Sequence, residues 1–200
     1  MRTVALVDYD NMRLVQTEKT SYDAAANLEQ LRDEIRNLVS QRIPQADELE
    51  LRLYGGWTDE DGYYSQVAQW LLANFSNVRD RGDGLRIHAV LATAAMCRPS
   101  EQLRGLVRSR TRNLRQKMVD ELLTVDAVHL ARARESCVLI ASDDDDMVPA
   151  ILAASLDSQW PVHLLREHTL GCRPNDDLLK TCGTTVHARR ADSTRGDTHV

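Results

Sequence analysis

Short unbroken apolar runs alternate along this chain with stretches whose apolar residues recur at helical spacing. Val4-Ala5-Leu6-Val7 is the first run, of the kind found in a central parallel strand covered on both faces. Leu28, Leu31, Ile35, Leu38 and Val39 then share a helical face up to Pro44, with Ser21 or Asp23 placed to cap the segment. Leu49-Glu50-Leu51-Arg52-Leu53-Tyr54 alternates and stops at Gly55-Gly56, which predicts a second strand closed by a turn. Residues 64–75 form the next predicted helix, with Val67, Trp70 and Leu71 on one face. A turn at Asp80-Arg81-Gly82-Asp83-Gly84 leads into a third strand over residues 85–91. Residues 118–134 are helical, with Val119, Leu122, Leu123 and Val128 as the expected apolar stripe. Cys137-Val138-Leu139-Ile140-Ala141 is the fourth strand, residues 148–156 a helix, and Val162-His163-Leu164-Leu165 the last strand. Residues 176–182 add a short helix, and the polar stretch 189–200 predicts a disordered tail.

Strands and helices in this alternation imply an α/β fold: a mostly parallel sheet of about five strands with helices on both faces and right-handed crossovers. Residues 1–188 make one domain. In a doubly wound sheet of order 3-2-1-4-5, strands one and four are neighbours, and their carboxyl ends share one crevice.

Two hundred residues at 42% hydrophobic content suffice for a sizeable core, and aromatics at 4% leave that core to Leu, Val, Ile and Ala. The formal charge of −5 argues against a generally polybasic nucleic-acid binder, without excluding local patches. Cys97, Cys137, Cys172 and Cys182 show no zinc-type pairing, and Cys137 reads as buried filler. Met1-Arg2-Thr3 runs directly into the first strand and the apolar runs are too short to span a membrane, so the chain reads as cytoplasmic and reduced, with no membrane partner.

Three segments bring acids to the crevice. Asp8-Tyr9-Asp10-Asn11 follows strand one, Lys117 to Asp120 and on to Asp126 lies on the helix before strand four, and Ser142 precedes Asp143-Asp144-Asp145-Asp146 after that strand. Such carboxylates repel one another, and hard oxygen donors suit Mg²⁺ or Mn²⁺ better than zinc. The plainer reading of an aspartate behind a strand is a helix cap or dipole partner, worth about 0.3–1 kcal/mol. Asp126 lies about 120° round the helix from Asp120 and reads equally as a solvated residue.

These residues carry a resemblance. Val4-Ala5-Leu6-Val7-Asp8-Tyr9-Asp10-Asn11 resembles the hhhhDxxN opening of NYN domains, the PIN-like nucleases that include LabA-like proteins. Lys117-x-Val119-Asp120-x-x-Leu123-x-x-Asp126 is similar to the KxVDxxLxxD helix of that family, and residues 138–149 resemble its hhxSGDSDFxP signature. Asp143 and Asp145 stand where the family usually has Gly and Ser, and Met147 replaces Phe, changes that add charge beside the site. The resemblance implies a PIN-like three-layer α/β/α fold and a metal-dependent ribonuclease, endonucleolytic in mode. Asp8, Asp120, Asp144 and Asp146 would then form the acidic site for Mg²⁺ or Mn²⁺. Asp8 and Asp144 would be direct ligands, Asp120 and Asp146 ligands or water-holding bases, and Asn11 would orient a carboxylate or phosphate. Lys117 could meet a phosphate. Ser142 joins the substrate-binding set by fixing the loop through backbone groups, since no activating His is implied nearby.

Arg98, Arg104, Arg108, Arg110, Arg112, Arg115 and Lys117 face the single acid Glu101 within residues 98–117. The stretch reads either as the solvated face of an amphipathic helix or as a phosphate-binding arm, with Arg108, Arg110, Arg112 and Arg115 nearest the acidic helix. Tyr9, Tyr54, Trp57, Tyr63 and Tyr64 could stack unpaired bases or simply pack. The six histidines show no paired spacing and read as structural or exposed.

RNA is the expected partner, and a homodimer is left open. Two other readings stand beside the ribonuclease: a non-catalytic RNA-binding NYN module, and a haloacid-dehalogenase-like phosphatase built on Asp8-x-Asp10. Asn11-Met12 and the absence of a Ser/Thr motif after strand two count against the phosphatase.

Overall fold

The computed structural model describes residues 1–9, 11–12, 21–57, 63–74, 84–92, 119–167 and 173–188, with only the backbone of 21–25 and 174. Within these residues six strands form one sheet: β1 (Arg2–Asp8), β2 (Glu48–Tyr54), β3 (Arg86–Leu91), β4 (Ser136–Ala141), β5 (His163–Arg166) and β6 (Thr185–Ala188). Their order is β3-β2-β1-β4-β5-β6 and every pairing is parallel. Among the described residues five helices flank the sheet: α1 (Ser21–Arg42), α2 (Gln66–Asn74), α3 (Val119–Ala133), α4 (Val148–Asp157) and α5 (Pro174–Thr181). The fold is therefore α/β with three layers, and the expected strand order holds, with β6 added at the edge.

The period-two alternation of strand side chains assigns the two cores. Ala5, Val7, Leu49, Leu51, Leu53, Leu139 and Ala141 pack with Leu31, Ile35 and Val39 of α1 and Leu71 of α2. On the other face Val4, Leu6, Val138 and Ile140 pack with Leu122, Leu123 and Ala127 of α3, Ile151 of α4 and Leu179 of α5. Helices change face at the β1/β4 boundary, which is the switch point where such sheets open a crevice. The buried stripe of α3 runs through Val119, Leu122, Leu123, Asp126, Ala127 and Leu130, while Val128, expected on it, is only half-buried. Pro174 opens α5, and Gly183 (φ 91°) takes the left-handed conformation that turns the chain into β6. Among the described residues no helix is long and apolar enough to cross a membrane.

Candidate functional site

The register of the sheet sets the acids. Asp8 ends β1 opposite Tyr54 of β2, and Val7 pairs with Ala141 of β4, so the chain beyond β4 begins beside Asp8. Asp8 and Ser142 are both fully buried. The Ser142 hydroxyl donates to Asp8 Oδ2 at 2.8 Å and accepts from the Asp144 amide at 3.1 Å. One hydroxyl thus locks the end of β1 to the loop after β4, the loop-fixing role expected for Ser142.

Asn11 completes the link. Its Nδ2 donates to Asp8 Oδ2 at 2.7 Å and to Asp144 Oδ2 at 3.2 Å, so the amide stands between two carboxylates 136 positions apart in the chain (144 − 8). The other Asp144 oxygen accepts from the Asp146 amide at 2.9 Å and caps a single 3₁₀ turn, Asp145–Met147, that feeds α4. One Asp144 oxygen thus serves as the cap of the plainer reading, and the other accepts from Asn11 beside Asp8.

Asp120 comes from the first turn of α3 and is half-buried. Burial pushes its carboxyl above the ordinary aspartate value, and the charges of Asp144, Glu121 and Asp146 push it the same way. Asp144 and Asp146, from the loop after β4, are thus close enough to act on Asp120. Asp126 follows a different course. It is fully buried and accepts from the Tyr54 hydroxyl at 2.6 Å, which ties α3 to the end of β2. The solvated-helix reading of Asp126 fails.

The four-aspartate run divides by position. Asp143 takes an ion pair from Arg173 (Nη2 to Oδ2, 2.8 Å), and Arg173 Nη1 donates to the Asp143 carbonyl at 2.6 Å. Asp145 Oδ1 meets Arg173 Nη1 at 3.2 Å and Arg166 Nη2 at 3.0 Å. Arg166, only 2% exposed at the end of β5, also holds Asp176 of α5 at 3.0 Å. Sequence reasoning missed both arginines, because nothing local marks a partner some 20 to 30 positions distant. The charge that Asp143 and Asp145 add is met by cations rather than left facing Asp144 and Asp146.

Tyr9, Tyr54 and Trp57 are buried, with Tyr9 and Trp57 rings tilted at 5.1 Å, so they are packing residues. Tyr63 and Tyr64 are exposed, at 71% and 41%. Lys117, Arg108, Arg110, Arg112 and Arg115, with the rest of the basic stretch, lie outside the described residues, as do Asp10, Cys97, Cys172 and the tail 189–200. Cys137 is buried filler as expected, its thiol pushed up to about 11 by burial. His163 and His187, unremarkable in sequence, stack across β5 and β6 with Nδ1 and Nε2 2.9 Å apart.

The donor chemistry of Asp8, Asp120, Asp144 and Asp146 is all hard oxygen and fits a divalent cation of the Mg²⁺ type. As the side chains stand, no three His, Cys, Asp or Glu among the described residues converge to hold a metal ion. Asn11 Nδ2 lies between the Asp8 and Asp144 carboxylates. No family model, curated protein or solved structure matches the chain. The class is therefore defined by architecture: a doubly wound α/β domain with an acidic edge at its switch point.

Proposed function

We propose that this protein is a metal-dependent ribonuclease of NYN type that hydrolyses RNA phosphodiester bonds endonucleolytically in the cytoplasm. The observation that carries the reading is the meeting of Asp8, Asn11, Ser142 and Asp144 at the β1/β4 edge, with Asp120 raised by burial and then by the charges of Asp144, Glu121 and Asp146. Acids from three segments gathered at one sheet edge favour a bound cation.

Asp8 and Asp144 would hold Mg²⁺ or Mn²⁺, with Asp120 and Asp146 as further ligands or holders of water. Bound there, such an ion supplies a water nucleophilic at neutral pH and offsets charge on the phosphate. Asn11 orients the facing oxygens of Asp8 and Asp144, and Ser142 keeps Asp8 in register with the loop. Asp120, on the first turn of α3, would hold that water in place. Lys117 and the arginines 108, 110, 112 and 115 would hold the RNA backbone through salt-sensitive phosphate contacts.

Cleavage of labelled single-stranded and structured RNA with Mg²⁺ or Mn²⁺, wild type against Asp144→Asn, tests the reading. We expect metal-dependent cutting that the variant loses by about 100-fold or more. Equal cutting by both proteins would remove the site from the four-aspartate loop. RNA binding in EDTA, unchanged by Asp144→Asn and without cutting, would favour a non-catalytic RNA-binding module.

A further inference from the structure

The four-aspartate loop carries more charge than its chemistry uses, and the excess has a specific arrangement. Asp143 and Asp145 are the odd pair, each gripped by a guanidinium; Asp144 and Asp146 are the even pair, whose charges reach Asp120. Arg173 meets Asp143 through both its carboxylate and its carbonyl, a fork geometry that fixes direction as well as charge. Arg166 ties Asp145 to Asp176, so the loop after β4 is bound to the end of β5 and to the first turn of α5.

We infer that Arg166 and Arg173 are positioning residues: by clamping Asp143 and Asp145 they turn Asp144 and Asp146 toward Asp8 and Asp120. The inference deepens the nuclease reading, yet the clamp itself is a property of the loop. A loop of four adjacent carboxylates without the clamp relieves its repulsion by opening, because like charges at this spacing disfavour one compact geometry. Opening releases the Asp144 and Asp146 amides from Ser142 Oγ and Asp144 Oδ1.

Amide hydrogen exchange of the full chain tests this without reference to RNA or metal. In Arg173→Gln, the Asp144 and Asp146 amides should exchange faster by about tenfold or more, the scale of a lost charge-assisted hydrogen bond. Leu139 and Ile140 in β4 should keep their protection, which separates a loop effect from general unfolding. Adding Asp143→Asn to Arg173→Gln removes the charge that needs the clamp and should restore much of the protection. Unchanged loop exchange in Arg173→Gln, or no recovery in the double variant, overturns the clamp. In the cleavage assay the clamp predicts a lower kcat with the KM for RNA held within about twofold. A raised KM with kcat intact would make Arg173 a phosphate contact and overturn its positioning role. A wild type that cuts no RNA would sink the nuclease reading and leave the exchange result to decide the clamp.

Discussion

Glu50 on β2 and Asp120 on α3 are carboxylates withdrawn from water on the same side of the sheet, and their acidities move in opposite directions. Burial alone would raise Glu50, but hydrogen bonds from Arg52 and Arg2 outweigh it and hold the carboxyl below the ordinary range. Burial also raises Asp120, and there the nearby charges of Asp144, Glu121 and Asp146 add to it. The difference lies in the company each acid keeps. Around Glu50 the sequence Glu50-Leu51-Arg52 puts acid and base on one face of a strand, where they neutralise one another as structure. Around Asp120 the charged neighbours among the described residues are acids, and they add to the cost of ionising its carboxyl.

The sharpest break of this comparison is Glu50→Gln, which leaves buried Arg52 without its carboxylate and should destabilise the fold by about 3 kcal/mol in denaturant unfolding. Next is Tyr54→Phe, which strips the buried Asp126 carboxylate of a 2.6 Å donor and should cost about 1–3 kcal/mol. Asp120→Asn should act with the opposite sign, stabilising the fold by about 0.5–1 kcal/mol while abolishing metal-dependent cleavage.

Acid titration of these variants sharpens the contrast. Because the folded value of Glu50 is lowered, its contribution is complete above the unfolded value of 4.5 and is lost as pH falls through the folded value. The folded value of Asp120 is raised, so its penalty is full above that raised value and disappears below the unfolded 3.8. The gain from Asp120→Asn should therefore vanish in acid. A separate pH dependence belongs to His187, which burial, His163 and Arg42 lower to about 4 from 6.5. Its neutral form suits the fold, so stability should decline between those values as pH falls, and His187→Gln should flatten that decline.

Much of this was legible in the chain. The runs at β1 and β4 are apolar on both faces, β1 ending in Asp8 and β4 leading through Ser142 into four aspartates, so both the strands and their edge chemistry show in one reading. β6 did not show: Thr185-Val186-His187-Ala188 is a short edge strand that borrows its pairing from β5 and carries no apolar run. The face of α3 was misread at Val128 because Asp126, a polar residue, takes a buried position through Tyr54, and a periodicity count excludes it. Asp8, Asn11, Ser142 and Asp144 were readable since each lies within three residues of a strand end. Arg166 and Arg173 were not, since an arginine with a remote partner looks like any surface arginine.

The most direct test of the acidic edge is an NMR titration of the Asp120 carboxyl with and without Mg²⁺. The account predicts a value above that of an ordinary aspartate in the absence of the ion, falling well below it as Mg²⁺ saturates. A titration that starts at the ordinary value, or that saturating Mg²⁺ leaves unmoved, would contradict the claim that these acids are gathered to hold a cation.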